Sequence, residues 1–436
     1  MRKLIAIRKQ SRLDDATLST APVEEKRELL AKRAQNSERA EDLVEVGFAR
    51  IEPPTVSNDR FTPLVETEPS FSRLGHVGAY IVNVPTPEWE RKAEQQLEDD
   101  YELLDNMVLS LPSSTNAKEI RHTSQPRQES QWPMASGIPL AHKKGLSGYG
   151  VIVGVLDTGC DADHEEFHNR EPIDFIYVNP ANSSQSNLDR AAFDSDGHGT
   201  HVCDIIAGKK FGIARDVDLM VAAVITEGNY HSTLERVLFG LNWMLTRFND
   251  SSSLDKPMII NMSLGVSASD MEQSYISQNR RLKALLERLM YEYEILPIVA
   301  IGNEGAEGSG AIRAPGYYRS TLSVGAVDFK LQPTEYSSYG LSPDGGKMQP
   351  DVMGYGQNVY AGYARDKRRT SLYVTKSGTS MATPYVTGVA ALYACEEPQL
   401  RGAKLRDRLL STAMKLDEDS DRVGAGLARY VERHEK

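Results

Sequence analysis

The sequence predicts an α/β domain with a mostly parallel sheet in residues 131–436, preceded by a small α+β domain in residues 1–110. In the larger region, strand-like runs that are apolar throughout alternate with amphipathic helical stretches, and such runs indicate strands buried on both faces. The smaller region has a strand–helix–strand pattern of its own. Between the two, residues 111–130 are polar and aperiodic, which predicts an exposed linker of the kind that proteases cut.

The elements of the small domain follow from the local spacing of its apolar residues. Thr86 is placed to cap a helix whose first residue is Pro87, a position that suits proline because an N–H there has no partner within the helix. The predicted elements are a strand at 4–7, a helical pattern over 23–44, a strand at 79–84, a helix over 87–97 and an alternating strand over 101–111.

In the large domain the same criteria predict a regular alternation of strands and helices. The predicted strands are residues 151–156, 219–225, 258–262 and 296–301, and the predicted helices are residues 200–207, 233–248, 276–293, 381–397 and 400–416. Because helices follow the strands, we expect them to cover both faces of the sheet, which gives a three-layer α/β domain.

Composition limits the classes of function. The chain has 436 residues, a formal net charge of −11 and 40% hydrophobic residues, so it can bury a sizeable core and lacks the basic face that nucleic acids require. No segment approaches the length needed to span a membrane, and the apolar run at 4–7 is too short for a secretory signal. The three cysteines have no metal-site spacing. We therefore expect a cytoplasmic protein without membrane or nucleic-acid partners.

Three polar clusters lie where catalytic groups gather in such a sheet, at the carboxyl ends of strands. Asp157 ends the first apolar strand, His198 lies among glycines at the start of a helix, and Ser380 begins a long apolar helix. One Asp, one His and one Ser can form a nucleophilic triad. In that arrangement Ser380 attacks a carbonyl carbon and His198 accepts its proton, while Asp157 fixes the imidazole tautomer and stabilises the imidazolium.

In this order, the segments Asp-Thr-Gly at 157–159, Asp-Gly-His-Gly-Thr-His at 196–201 and Ser-Gly-Thr-Ser-Met-Ala-Thr-Pro at 377–384 resemble the subtilase family of serine proteases. The resemblance covers roughly residues 131–430. It implies a subtilisin-like three-layer domain and a serine endopeptidase that cleaves peptide or protein substrates through an acyl-enzyme at Ser380.

The resemblance also implies residues that bind the substrate. Asn303, which follows Gly302, corresponds to the family's oxyanion-hole asparagine, and its amide would act together with the Ser380 N–H on the charged oxygen of the tetrahedral intermediate. Ser263, Leu264 and Gly265 correspond to the strand that pairs with the substrate backbone and forms a wall of the first specificity pocket.

Arg313 departs from the family's pattern. It falls where small residues often form the floor of the first specificity pocket, and a guanidinium there would favour an acidic side chain immediately before the scissile bond. The alternative is that Arg313 points to solvent, because this loop varies in length.

The loop after the histidine helix, residues 208–214, is a second departure. Family members usually carry ligands for a structural calcium ion on a longer loop, whereas this loop is short and contains two lysines. We therefore expect no cofactor and no metal in the active site, and the shortened loop leaves a structural calcium ion as the alternative. We interpret His201 as packed within its helix, and Cys160 and Cys203 as small buried core residues.

The order of elements in residues 79–111 resembles the latter half of a subtilase propeptide. The resemblance implies an intramolecular inhibitor that lies over the active site and is joined to it by a segment that the enzyme itself cuts. If Arg313 selects acidic residues, Glu119 and Glu129 in the linker are candidate cleavage points. The alternative is a permanently attached regulatory or partner-binding domain.

The main alternative function is that of a peptide-binding protein that uses the same cleft without catalysis. A nucleotide-binding domain is excluded, because the turn after the first apolar strand is Asp-Thr-Gly rather than a glycine-rich phosphate loop that opens a helix.

Overall fold

The computed structural model of the chain describes most of the two predicted domains. The described residues are 2–8, 28–30, 32, 39–51, 68–106, 108–111, 120–122, 131–168, 170, 173–179, 191–225, 231–249, 253, 255–265, 273–344, 346–365 and 368–432. Glu119 and Glu129 lie outside these residues, as does most of the helical pattern predicted over 23–44.

A seven-stranded sheet forms the centre of the large domain. In order across the sheet, its strands are β17 (Val352–Tyr355), β14 (Leu322–Val327), β13 (Leu296–Ala300), β12 (Met258–Met262), β8 (Ile152–Asp157), β10 (Asp218–Ala223) and β9 (Asp174–Tyr177). All neighbouring strands are parallel, so the seven carboxyl ends lie along one edge. The sequence does not predict β9, β14 and β17, because their apolar runs are short or interrupted by glycine.

Helices cover both faces of this sheet, so the predicted three-layer α/β architecture is confirmed. Alternate residues of a strand point to opposite faces, and in β12 Ile259 lies in one apolar core and Ile260 in the other. The first core contains α4 (His198–Ala207), α7 (Thr379–Glu396) and α8 (Gly402–Thr412), and the second contains α5 (Leu234–Phe248) and α6 (Gln273–Tyr291). Short elements at the surface are α3 (Ile138–Lys143), α9 (Ser420–Val423), β15 (Gly340–Leu341) and β16 (Met348–Gln349).

The small domain is built on a mixed sheet. In order across the sheet, its strands are β2 (Ala49–Ile51), β3 (Ser70–Leu74), β4 (Ala79–Val84), β1 (Arg2–Arg8) and β5 (Tyr101–Asp105), and its helices are α1 (Ala40–Glu45) and α2 (Pro87–Leu97). Helix α2 has the predicted bounds and begins after Thr86. The threonine side chain makes no capping bond, and the Thr86 carbonyl instead accepts the Glu90 N–H at 3.1 Å.

The second face of the small sheet packs against the large domain. Along β1, Leu4 and Ala6 lie in the small domain's own core, whereas Ile5 and Ile7 lie in the core that contains α5 and α6. This is the alternation expected of a strand that is apolar on both faces. The two domains therefore share one continuous apolar core.

The chain after β5 leaves the small sheet and pairs with the large domain. Strand β6 (Val108–Ser110) is antiparallel to β11 (His231–Thr233), and β7 (Ile120–His122) is antiparallel to β19 (Leu372–Lys376), which also pairs with β18 (Val359–Tyr363). The segment predicted as one alternating strand over 101–111 is thus two strands in different sheets. The predicted exposed linker also contains a strand, because the open edge of β19 supplies backbone partners that local sequence does not reveal.

The cysteines are all free thiols, and Cys160 and Cys203 are fully buried in the core that contains α4. Burial raises the pKa of the Cys160 thiol well above its ordinary value, so the protonated form is favoured at neutral pH. Across the ranges that the structure describes, no helix is both long enough and apolar enough to cross a membrane.

Candidate active site

The polar residues singled out in the sequence lie at the carboxyl edge of the seven-stranded sheet. Asp157 is the last residue of β8, His198 is the first residue of α4 and Ser380 is the second residue of α7. Asn303 follows β13 by three positions. The parallel topology therefore brings together side chains that are more than two hundred positions apart in the chain.

Asp157 and His198 form the best-defined contact of this site. His198 Nδ1 lies 2.8 Å from Asp157 Oδ1, and the same oxygen accepts the Thr158 N–H at 2.7 Å. Asp157 is fully buried and His198 is 8% exposed. An ionised carboxylate can only accept a hydrogen bond, so the contact places the imidazole proton on Nδ1 and leaves Nε2 as the basic nitrogen.

The loops that carry these two residues are fastened to each other. The Gly199 N–H donates to Thr158 Oγ1 at 2.8 Å, which joins the turn after Asp157 to the first turn of α4. A Cβ atom on Gly199 would lie 2.1 Å from the Gly159 carbonyl oxygen, so only glycine permits this approach. The glycine that follows His198 in the sequence is thus explained by packing.

Two carboxylates fix the start of helix α4. Asp196 accepts the His198 N–H at 3.1 Å, and Asp194 accepts the Thr200 N–H and hydroxyl, each at 2.7 Å. Burial raises the pKa of the Asp196 carboxyl. The two carboxylates satisfy N–H groups that have no partner within the helix and so orient the histidine backbone. Their role is positional, and only the spacing Asp-x-Asp before the helix indicates it in the sequence.

Ser380 lies in the first turn of α7, after Gly378. The interior proline of this helix, Pro384, has no N–H to donate to the carbonyl four residues earlier, which is that of Ser380. Ser263 Oγ donates to this carbonyl instead, at 3.3 Å, and Asn261 Nδ2 lies 3.2 Å from Ser263 Oγ. The hydroxyl of Ser263 therefore supports the backbone of the serine, a contact that the sequence does not indicate.

Asn303 is held against the same helix start. Its Oδ1 accepts the N–H and the hydroxyl of Thr379, both at 2.9 Å, so its Nδ2 is the donor end of the amide. Nδ2 lies 3.3 Å from the position that a Cβ on Gly378 would take. Gly302 has φ +121°, a conformation that favours glycine. The arrangement suits an oxyanion hole between the Asn303 amide and the first turn of α7.

Ser380 and His198 are not joined in this structure. Among the residues that the structure describes, no hydrogen bond links Ser380 Oγ to the imidazole of His198, whose ring bonds to Asp157. Hydrogen bonds between a nucleophile and its base often shorten only when substrate is bound. In this structure the Asp157–His198 pair is formed, whereas Ser380 lies in the first turn of α7 without a bond to His198.

The small domain reaches this site through its last described residues. Ser110 forms two backbone hydrogen bonds with Gly265, from its N–H at 2.9 Å and to its carbonyl oxygen at 2.8 Å. On its other side Ser110 pairs with His231 of β11, so this residue has backbone partners on both sides. Gly265 is the residue that we expect to pair with a substrate backbone, and the chain's own segment occupies that position.

Arg313 is buried between Gly265 and Gly302 and does not point to solvent. It is 6% exposed, and its Nε and Nη2 lie 3.0 and 2.6 Å from Glu304 Oε1. Its Nη1 lies 3.0 Å from Ser110 Oγ. Glu304 as the partner of Arg313 is absent from the sequence-based prediction, because nine positions in a loop give no periodic signal.

The loop after α4 holds an ammonium group among carboxylates. Lys210 Nζ lies 3.1 Å from Glu165 Oε1 and 3.6 Å from Glu166 Oε1, and the Lys210 N–H donates to Glu166 Oε2 at 2.7 Å. The acidic oxygens near this loop thus already have a cation, which does not fit a calcium site. The described part of the chain contains no group of three or more His, Cys, Asp or Glu side chains that could hold a metal ion.

Comparisons with known proteins agree with this geometry. Residues 148–426 match the model of the subtilase family. The subtilisin-like protease PopC of Myxococcus xanthus (strain DK1622) is 38% identical over 372 residues, which cover 83% of this chain and 77% of that protein. Subtilisin DY of Bacillus licheniformis is 32% identical over 302 residues, which cover 67% of this chain and 95% of that protein.

Proposed function

The chain belongs to the subtilase family of peptidases, and on that basis we propose that it is a serine endopeptidase that acts through an acyl-enzyme at Ser380. The observation that carries the proposal is the 2.8 Å contact between His198 Nδ1 and the buried Asp157, at the sheet edge that also holds Ser380 and Asn303. The substrates are peptides or proteins, as expected for this family.

In the proposed reaction, His198 Nε2 takes the proton of the Ser380 hydroxyl as its oxygen attacks the scissile carbonyl carbon. Asp157 stabilises the imidazolium that results. The Asn303 amide and the Ser380 N–H donate to the oxygen that becomes negative, and the positive end of the α7 dipole favours the same charge. His198 then protonates the leaving amine, and water hydrolyses the ester by the same route in reverse.

Hydrolysis of unfolded protein by the purified chain tests this proposal. We expect new peptides from the wild type, none from Ser380→Ala, and a rate about 10,000-fold lower for Asp157→Asn, which leaves the imidazole in the wrong tautomer. Ser377→Ala is the matched control, since Ser377 is a half-buried serine three positions before Ser380, and its own hydroxyl accepts the Asn358 N–H. Equal hydrolysis by wild type and Ser380→Ala would overturn the assignment, and hydrolysis by neither would favour a peptide-binding protein without catalysis.

We further propose that residues 1–110 inhibit the enzyme within the same chain. Support comes from Ser110, whose backbone takes both hydrogen bonds of Gly265, and from the apolar face of β1 packed against α5 and α6. A substrate strand that needs Gly265 must displace this segment. The rival proposal, a regulatory domain that is never removed, predicts the same contacts and differs in the fate of the linker.

Self-cleavage in the linker is part of the same proposal. Ser110 pairs with Gly265, and strand β7 (Ile120–His122) pairs with β19. Ser380 follows the last residue of β19 by four positions. These two pairings therefore fix the chain on either side of residues 111–119. Glu119 and Glu129 remain candidate cleavage points, with Glu119 inside this interval.

Intact-mass measurement of the wild type beside Ser380→Ala tests self-cleavage. We expect the wild type to separate into two fragments divided between residues 111 and 130, and Ser380→Ala to remain full length. A full-length product from both would argue for a permanently attached regulatory domain.

An acidic preference immediately before the scissile bond remains a proposal that rests on Arg313. Matched peptides with Asp, Glu, Leu or Phe at that position test it, and equal or faster cleavage of the apolar peptides would contradict it. We also propose that the protein acts in the cytoplasm, because its three cysteines are free thiols, which suits a reducing compartment. Detection of the protein outside cells after fractionation would contradict this.

A further inference from the structure

Arg313 lies along the floor of the cleft between two segments that bind substrate. A Cβ atom added to Gly265 would lie 3.2 Å from Arg313 Cβ, and one added to Gly302 would lie 3.2 Å from Arg313 Cγ. The arginine stem thus passes between the substrate-pairing segment and the loop that carries Asn303. Its direction is set by packing against backbone on both sides, so the guanidinium has little freedom to turn away.

The guanidinium has two edges with different partners. Nε and Nη2 are both within 3.0 Å of Glu304 Oε1, whereas Nη1 lies 3.0 Å from Ser110 Oγ. Ser110 belongs to the strand that occupies the cleft and pairs with Gly265. One edge of the Arg313 guanidinium is therefore bound to Glu304 in the large domain, and the other contacts the side chain of the residue that pairs with Gly265.

Glu304 is itself held on both sides. Its Oε2 accepts the Asn303 N–H at 2.9 Å, and its own N–H donates to Ser338 Oγ at 2.9 Å. Arg313 and Glu304 are 7% and 11% exposed at their side chains, so they form a largely desolvated and neutral pair. The pair links the cleft strand to the backbone of the proposed oxyanion-hole residue.

We propose that the Arg313–Glu304 pair selects substrates with an acceptor side chain, above all Asp or Glu, at the residue whose backbone pairs with Gly265. This rests on the proposed endopeptidase function and offers the Ser110 register, rather than the residue immediately before the scissile bond, as the position that Arg313 recognises, because Ser110 Oγ is the group that Nη1 contacts. A carboxylate at that register accepts a charge-assisted hydrogen bond from Nη1. An apolar side chain removes the acceptor that Ser110 Oγ provides for Nη1, and a lysine places like charges together. Glu304 acts as a positioning residue through Arg313.

The first test uses the full chain in a Ser380→Ala background, so that self-cleavage does not interfere. Hydrogen exchange of the Gly265 N–H, which donates to the Ser110 carbonyl, reports how firmly the strand is bound. We expect Ser110→Asp to exchange about 10-fold more slowly than Ser110→Ala, and Ser110→Lys about 10-fold faster. In the double variant Arg313→Gln/Glu304→Gln, which removes both charges together, these differences are expected to fall below about 2-fold.

The matched control is Arg408→Gln/Glu397→Gln. It removes an Arg–Glu pair that joins helix α8 to the end of α7, with 24% and 22% exposed side chains. We expect it to keep the full difference among the Ser110 variants. Equal exchange of Ser110→Asp and Ser110→Lys, or a difference that survives loss of Arg313 and Glu304, would overturn the proposal.

The second test uses the wild-type chain and peptides that copy residues 104–122, with Ser, Asp, Ala or Lys at the position of Ser110. We expect kcat/KM to be about 10-fold higher for Asp than for Ala, and this ratio to vanish in Arg313→Gln/Glu304→Gln. Changes at the position of Val108, which is 47% exposed, serve as the control position. Cleavage that is indifferent to the Ser110 position would refute the proposal, whereas cleavage of no peptide at all would refute the endopeptidase function and leave the exchange test standing.

Discussion

Loss of Asn106 is predicted to release the small domain from the cleft. Asn106 lies between β5 and β6, and its Oδ1 accepts the N–H of Glu235 near the start of α5 at 3.0 Å. Its Nδ2 donates to Glu235 Oε2 at 3.0 Å, while Lys3 Nζ lies 3.0 Å from the other oxygen, Oε1. The Glu235 side chain is 5% exposed. Asn106 is therefore both a helix cap and a partner of a buried carboxylate.

Asn106→Ala removes both bonds at once. A helix-cap bond contributes about 1 kcal/mol, and a bond to a charged group contributes at least as much. When the domain leaves, water replaces these partners, so the loss is felt only in the docked state. We expect docking to weaken by about 2 kcal/mol, which corresponds to an open population about 30-fold larger.

Hydrogen exchange of the Gly265 N–H in a Ser380→Ala background measures this population, because the donor is covered only while Ser110 is in place. Asn106→Ala is expected to exchange about 30-fold faster than its parent. Lys92→Met is the control, since Lys92 pairs with Glu88 on the outer helix of the small domain. A change of less than about 3-fold for Asn106→Ala would refute the reasoning that these bonds stabilise docking.

Three further predictions concern pH, stability and the oxyanion hole. His76 lies at the contact between the two domains, where its backbone N–H donates to Asn242 Oδ1 of α5 at 3.0 Å. Burial and the nearby charges of Arg288 and Arg73 lower the pKa of His76 to about 4. Since the undocked histidine titrates near 6.5, docking should be complete above pH 6.5 and weaken as the pH falls toward 4, by about 2 kcal/mol at pH 5. The ratio of the hydrogen-exchange rate of the Gly265 N–H in the wild type to that in His76→Gln, measured at each pH, checks this prediction. A ratio that does not change with pH would contradict it. Lys210→Met removes the cation beside the buried Glu166 and is expected to lower the free energy of unfolding by about 2 kcal/mol in denaturant titration. Lys210→Arg keeps a cation there and is expected to retain most of the wild-type free energy of unfolding. A chelator is expected to leave the free energy of unfolding of the wild type unchanged. Asn303→Ala should lower kcat about 100- to 1000-fold with little change in KM, the size of effect known for one such donor in subtilisin; an unchanged kcat would remove Asn303 from the oxyanion hole.

The sequence predicts the parts of this fold that depend on local pattern. Strand β12 and helix α2 have the predicted bounds, because each is a continuous apolar or amphipathic run with clear ends. The positions of Asp157, His198 and Ser380 at strand ends and helix starts follow from their motifs and from the general rule for parallel sheets. Short strands such as β17 carry too few apolar residues to be distinguished from loops.

The remaining features depend on contacts between distant segments. Nothing near Ser110 indicates that it will pair with Gly265, and nothing near Arg313 indicates that Glu304 will neutralise it. The bond from Ser263 Oγ to the Ser380 carbonyl exists because Pro384 removes the helical donor, a consequence that becomes visible only when the two segments are adjacent. Local sequence therefore predicts the elements and the reactive residues, whereas tertiary packing determines the specificity contacts and the inhibitory contact.

We propose that Ser380 is a nucleophile activated by His198 and covered by the chain's own N-terminal domain. Labelling by a fluorophosphonate, with the modified residue located by peptide mass, measures both properties at once. We expect a single adduct on Ser380, formed faster in Asn106→Ala than in the wild type and absent in His198→Ala. No adduct on Ser380 in either the wild type or Asn106→Ala, or equal labelling when His198 is replaced, would contradict it.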